Sequence, residues 1–283
     1  MIAMEDISCR NNLALAMLDA LRLLACLACA QATPVGSPPE ALAVDVELVL
    51  AVDISLSMDE TEFALQRAGY VEALRHPDFI QAVRSGNTGR IAVAYFEWAG
   101  TVRDDAVINW QVIDSAESAN RFADKVAARP FRSFRGTSIS TALAFGAGLF
   151  DRTDFAGERS VIDISGDGPN NIGPPVTATR DAAIAKGIII NGLPILIKPS
   201  PTFSHLDQYY AQCVTGGPGS FVLPIYASAE FSTAIRRKLI LEVSGIQDKA
   251  EVTPIETDAP IDCLQGERDR RFLSDPYFPE LDR

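Results

Sequence analysis

The chain has 283 residues, enough for one large domain or two small ones, and its 47% hydrophobic and 22% charged composition is that of a globular protein with a full core. A formal net charge of −12 and a pI near 4.7 leave no basic stripe to neutralise phosphates. Nucleic acid and anionic membrane surfaces are therefore not expected as partners.

At the N-terminus, residues 1–30 read as a signal peptide or N-terminal extension. Leu23–Ala30 is a short apolar run preceded by Arg22 and ending in Ala28-Cys29-Ala30, an Ala-x-Ala cleavage pattern. The run is too short to span a bilayer. Asp19 is awkward in such a segment, and Met17 is an alternative start. Cys26 after Leu23-Leu24-Ala25 loosely resembles a lipoprotein box. The competing reading is a disordered or helical tail. A periplasmic or secreted location is expected, with no transmembrane segment in the mature chain. Of the five cysteines, Cys213 and Cys263 lie outside this region. In an exported chain they can pair and staple the C-terminal tail to the body; in the cytosol they would stay as two thiols.

Residues 31–44 read as a linker, with Thr33–Pro39 rich in Pro, Gly and Ser. Residues 45–245 then alternate strand and helix. Val46–Val52 is an apolar run expected to be a buried parallel strand. Asp59–Arg84 is expected to be helical, with a break at His76-Pro77. Arg90–Glu97 is a second strand. Ala106, Ile108, Trp110 and Val112 alternate with mostly polar residues and mark a half-solvated antiparallel edge strand. Helices are expected over Ser115–Arg129 and Ser138–Phe150. Val161–Ser165 is a fourth strand ending in Gly166-Asp167-Gly168, followed by a helix over Val176–Lys186. Ile188–Leu193 reads as a fifth parallel strand; an Asn-Gly hairpin across Ile188–Ile197 is the rival. A helix over Phe203–Cys213, a sixth strand at Ser220–Ile225, and a helix over Ala229–Val243 capped by Ser228 complete the body. Residues 246–283 form a charged, Pro-containing C-terminal tail.

The pattern describes an α/β fold: a doubly wound, mostly parallel six-stranded sheet of order 3-2-1-4-5-6, its third strand antiparallel at the edge, with helices on both faces. Ligands of such sheets bind beyond the carboxyl ends of the strands, where the winding reverses. Asp53, Ser55 and Ser57 follow the first strand, Asp167 the fourth, and Gly136-Thr137-Ser138 precedes a helix. Hard oxygen ligands of low total charge suit Mg2+ better than Zn2+. Taken singly, each group equally serves as a turn residue or helix cap. No Cys-x-x-Cys or Cys/His cluster points to zinc.

Other polar residues attract bland readings. Asp163 inside the fourth strand is expected to make a structural hydrogen bond to a neighbouring loop. Asn170 and Asn171 are expected in a turn, as is Gly216–Gly219. His76 and His205 have no nucleophile to serve, and Arg132–Arg135 reads as a loop at the crevice rim.

The set Asp53-x-Ser55-x-Ser57, Thr137 in Gly-Thr-Ser and Asp167 in Gly-Asp-Gly resembles the von Willebrand factor A domain over roughly Val44 to Gly245, with every position of its metal-ion-dependent adhesion site filled. The segments Val161–Asn171 and Gly216–Phe221 resemble a bacterial group of exported A-domain proteins of unknown function. The resemblance implies Mg2+ (Mn2+ or Ca2+ in its place) bound directly by Ser55 and Ser57 and directly or through water by Thr137. Asp53 and Asp167 would hold waters and orient the serines. It implies a protein partner whose acidic side chain completes the metal sphere, and no catalytic residues. Two alternatives are carried: a phosphatase with Asp53 as nucleophile, which lacks the second Asp expected where Ser55 stands, and a scaffold with a vestigial site.

Overall fold

Val44 through Val52 is an unbroken run of side chains shut off from solvent, and only a strand covered on both faces and flanked on both edges satisfies it. In the computed structural model, which describes residues 41–58, 60–198, 203–245 and 260–273 (for 271–273 the backbone alone), this run lies in the central strand β1, Leu42–Asp53. Its side chains alternate: Val46, Leu48, Leu50 and Val52 enter one apolar core, Val49 and Ala51 the other.

Strands β2 (Ile91–Trp98) and β4 (Phe155–Gly166) flank β1 in parallel, and β5 (Ile188–Pro194) adds to β4. Strand β3 (Val102–Ile113) runs antiparallel to β2 at the edge. The order is β3-β2-β1-β4-β5. Ile188–Pro194 is a single parallel strand, so the Asn-Gly hairpin does not form.

The sheet has five strands among the described residues, and the expected sixth is a correction. Val222 and Ile225 make only isolated parallel bridges, to Gly192 and Ile195. Leu223 donates its amide to Gly192 O and Ile225 to Pro194 O, and Gly192 and Leu196 donate to Phe221 O and Ile225 O, but Pro194 between them has no N–H to donate to Leu223 O. The segment follows the edge of β5 without a continuous ladder.

Helices α1 (Glu60–Arg75), α2 (Pro77–Arg84), α3 (Ala116–Ala127) and α7 (Phe231–Ser244) cover one face. The break between α1 and α2 falls at His76, whose Nδ1 accepts from the Asp78 amide as an N-cap. On the other face lie α4 (Ile139–Phe150), α5 (Val176–Ala185) and α6 (Leu206–Tyr209), which continues as a π-helical turn over Tyr210–Val214. Ser228 does not cap α7 as expected: it opens a 3-10 turn, Ser228–Glu230, and Glu230 Oε2 accepts from the Tyr226 and Ala227 amides. Within the tail, α8 (Gln265–Leu273) follows a disulfide between Cys213 and Cys263, whose Cα atoms are 5.6 Å apart. No helix of the described residues is long and apolar enough to cross a membrane. The leader, linker and Cys26 readings lie outside the described residues, apart from 41–44, of which 42–44 belong to β1.

Candidate metal centre

The register brings the carboxyl ends of β1 and β4 level: Val52 pairs with Ser165, so Asp53 lies beside Gly166. Beyond Asp53 the chain turns, and the Ser55 amide donates to Asp53 Oδ1 at 2.7 Å, closing an Asx turn. That turn aims the Ser55 hydroxyl at Ser57 Oγ, 2.8 Å away. Ser57 Oγ donates in turn to Asp167 Oδ1 at 2.6 Å. Side chains from the first and fourth strand ends thus form one hydrogen-bonded chain. Asp53, Ser55 and Thr137 are buried, Asp167 is half-buried and Ser57 is exposed, so the group opens to solvent at Ser57.

Thr137 arrives from a different element. Gly136, at φ 83°, turns the chain into α4, and a Cβ there would collide with Ile172. Ser138 then caps α4, accepting from the Thr141 amide. The Thr137 carbonyl accepts from the Asn171 amide at 2.8 Å, and its own amide donates to Asn171 Oδ1 at 2.9 Å. A Cβ on Gly168 would fall 3.9 Å from Thr137 Oγ1, which puts this hydroxyl over the loop that carries Asp167.

Burial and neighbouring negative charge disfavour the ionised form of both carboxyls. Burial pushes the Asp53 carboxyl well above the usual carboxylate range, and the charge of Asp167 pushes it further. Burial raises Asp167 to about 6, opposed by the hydrogen bond from Ser57 and aided by the charge of Glu62. Asp53 Oδ2 is buried with no hydrogen-bond partner among the described residues. Two carboxylates and three hydroxyls are the donor types of a hard divalent ion that keeps some of its waters. Among the described residues no three His, Cys, Asp or Glu side chains gather as a metal group, at this crevice or elsewhere; the crevice brings together two carboxylates and hydroxyls.

Several supporting residues carry more than their bland readings allowed. Asn170 is a buried hub: Oδ1 accepts from the Ser140 amide, Nδ2 donates to Pro174 O and Glu267 Oε1, and its amide donates to the Tyr209 hydroxyl. The Arg132–Arg135 loop is strapped to the metal loop by Leu56 N to Phe134 O and Ser133 Oγ to Ile54 O. Arg132 itself pairs with Asp105. Arg270 of α8 donates to Asn171 Oδ1 at 3.3 Å. These links join segments far apart in the chain, so no local pattern announced them. Asp163 does not bond a loop, as expected, but forms a buried ion pair with Lys238 of α7. Gly216–Gly219 is a turn, with Gly217 and Gly219 at positive φ.

The fold is that of von Willebrand factor A domains. Similar solved structures include the pilus adhesin SpaC from Lactobacillus rhamnosus GG (TM-score 0.54, 13% identity, covering 71% of this chain and 31% of that one). Proximal thread matrix protein 1 from the mussel byssus, whose structure has a zinc-occupied metal-ion-dependent adhesion motif, is similar at a TM-score of 0.52 and 14% identity, with 72% and 49% covered. The von Willebrand domain of the type V pili tip protein Mfa5 from Porphyromonas gingivalis gives 0.51 and 11%, with 77% of this chain and 100% of that chain covered. The chain thus spans about a third of SpaC and about half of the byssus protein. No curated protein matches the sequence. Residues 43–247 match the model of the family described as "Protein of unknown function (DUF1194)", and the chain belongs to that family.

Proposed function

We propose that this protein is a binding module that engages a carboxylate of a protein partner through Mg2+ held by Asp53, Ser55, Ser57, Thr137 and Asp167. The observation that carries the reading is the chain from Ser55 through Ser57 to Asp167, at 2.8 and 2.6 Å, across the ends of the first and fourth strands. Ser55 and Ser57 contribute neutral oxygens, which leave the ion electrophilic toward an anionic ligand. Asp53 and Asp167 supply the balancing charge and orient the serines. The opening at Ser57 is the side from which a partner's carboxylate reaches the ion. Mn2+ or Ca2+ would bind the same oxygens with different geometric demands.

The reading is of a receptor and not of an enzyme. A phosphatase would need Asp53 as nucleophile and an acid beside it. Asp53 has no accessible surface, and Ser55 stands where the acid would be. Export to an oxidising compartment, periplasmic or extracellular, agrees with the bond between Cys213 and Cys263.

Calorimetric titration of Mg2+ into the metal-free chain and its Asp53→Ala variant tests the reading. Saturable uptake by the wild type and none by the variant is the expected result. Equal uptake by both removes the site assignment, and no uptake by either leaves a scaffold with a vestigial site.

A further inference from the structure

Two buried polar atoms without partners border the space beside Gly166 at the end of β4. They are Asp53 Oδ2 and the Tyr210 hydroxyl, and neither has a hydrogen bond among the described residues. A Cβ placed on Gly166 would fall 2.8 Å from each of them, so the last residue of β4 leaves open the space they share. A second glycine makes room for the ring: a Cβ on Gly192 of β5 would fall 2.7 Å from Tyr210 Cδ1. The slot is therefore built from the bare backbone of two strands and filled by one aromatic side chain.

The backbone at Tyr210 is also unusual. The residue opens the π-helical turn Tyr210–Val214, whose extra residue per turn lets Tyr209 and Tyr210 both point inward. The Tyr209 hydroxyl is used, accepting from the Asn170 amide at 3.1 Å. The Tyr210 hydroxyl can donate, and the carboxylate oxygen of Asp53 borders the same space.

We infer that Tyr210 is a positioning residue of the metal centre, donating its hydroxyl to Asp53 Oδ2. The inference rests on the metal-bridged reading above. Asp53 Oδ1 is already committed to the Ser55 amide. A bond to Oδ2 would stop rotation of the carboxylate about its Cβ–Cγ bond, fixing the face turned to Ser55 and Ser57. A donor and an acceptor buried together are each costly when unpaired, and this bond would relieve both. Tyr210 touches no ligand position itself; it acts through Asp53.

Mg2+ titration of the full chain, its Tyr210→Phe variant and its Asp53→Ala variant tests this, with thermal melting of each metal-free protein and the tyrosine ultraviolet difference spectrum recorded during titration. Tyr210→Phe keeps the ring and removes only the oxygen. The expected result is about tenfold weaker Mg2+ binding, a lower melting temperature because Asp53 Oδ2 loses its donor, and loss of a Mg2+-induced tyrosine signal that the wild type shows. A purely structural ring would leave affinity and signal alone. Wild-type affinity in Tyr210→Phe beside lost binding in Asp53→Ala overturns the role of Tyr210 and leaves the metal centre standing. Undiminished binding in Asp53→Ala, or none in the wild type, overturns both.

Discussion

Thr137 and Asn171 are joined by a reciprocal pair of hydrogen bonds, Asn171 N to Thr137 O at 2.8 Å and Thr137 N to Asn171 Oδ1 at 2.9 Å. The side chain of Asn171 thus does for Thr137 what a neighbouring strand would do. Asn171→Ala keeps the first bond and loses the second. It is expected to weaken Mg2+ binding about tenfold with little loss of melting temperature, as removal of an outer support does at metal sites. Calorimetry beside a thermal melt checks both halves of this expectation.

Asp167 is held against its preference in the metal-free protein, since burial raises its carboxyl to about 6. At pH 7 the folded state keeps it ionised at a cost that the unfolded chain avoids. Asp167→Asn retains an oxygen for the Ser57 hydroxyl and removes the charge that bears on Asp53. The metal-free variant is expected to be more stable than wild type at pH 7 by about 1 kcal/mol, while Mg2+ binding is lost. Urea unfolding with and without Mg2+ separates the effects, and a less stable metal-free variant would refute the first.

A second cluster of charge sits under α7. Lys238 is fully buried between Asp163 of β4 and Glu242, with Tyr70 of α1 and Asn191 of β5 facing the two carboxyls. One ammonium cannot neutralise two carboxylates. Burial and the charge of Asp163 raise Glu242 to about 7, against the pull of Lys238. A carboxyl raised on folding holds its proton in the native state while the unfolded chain has released it. Its stabilising effect is therefore complete below about pH 4.5 and is lost as pH rises to about 7. The wild type should melt progressively lower from pH 5 to pH 8, and Glu242→Gln should flatten that slope. A variant with the wild-type slope would show that Glu242 does not carry the proton.

The bond between Cys213 and Cys263 spans a separation of 50 residues and holds the segment that places Glu267 on Asn170 and Arg270 on Asn171. Replacing both cysteines by serine is expected to cost about 2–4 kcal/mol of stability through the freed unfolded chain. It should also weaken Mg2+ binding severalfold by loosening the Asn170-Asn171 loop. Denaturant melts and Mg2+ titration of the double variant measure the two effects independently.

The parts of the molecule that were legible in the sequence share a physical basis. Strands and helices with a buried face announce themselves by periodicity, so β1 through β5 and the helices between them could be read from local pattern. Asp53, Ser55 and Ser57 were legible because one strand end presents all three. The rest depends on contacts across the fold. Lys238 sits in a helix where a lysine ordinarily faces water, and its burial is set by Asp163, 75 residues earlier. Asn170 and Asn171 look like turn formers until their side chains meet Ser140, Thr137 and α8. The expected sixth strand failed for a reason written in the strand beside it: Pro194 has no N–H to donate at the ladder position between Gly192 and Leu196.

The π-helical turn has one further consequence. Tyr209 supports Asn170 on the hydroxyl side of the crevice, Tyr210 borders Asp53 on the acidic side, and Cys213 anchors the C-terminal segment. A regular helix rotates about 100° per residue, so deleting a single residue between Leu206 and Cys213 would swing at least one of these groups out of place. The crevice is thereby sensitive to the length of this short segment as well as to its chemistry. Insertions and deletions here should be as damaging as loss of a ligand, although the segment contributes none of the five candidate ligands.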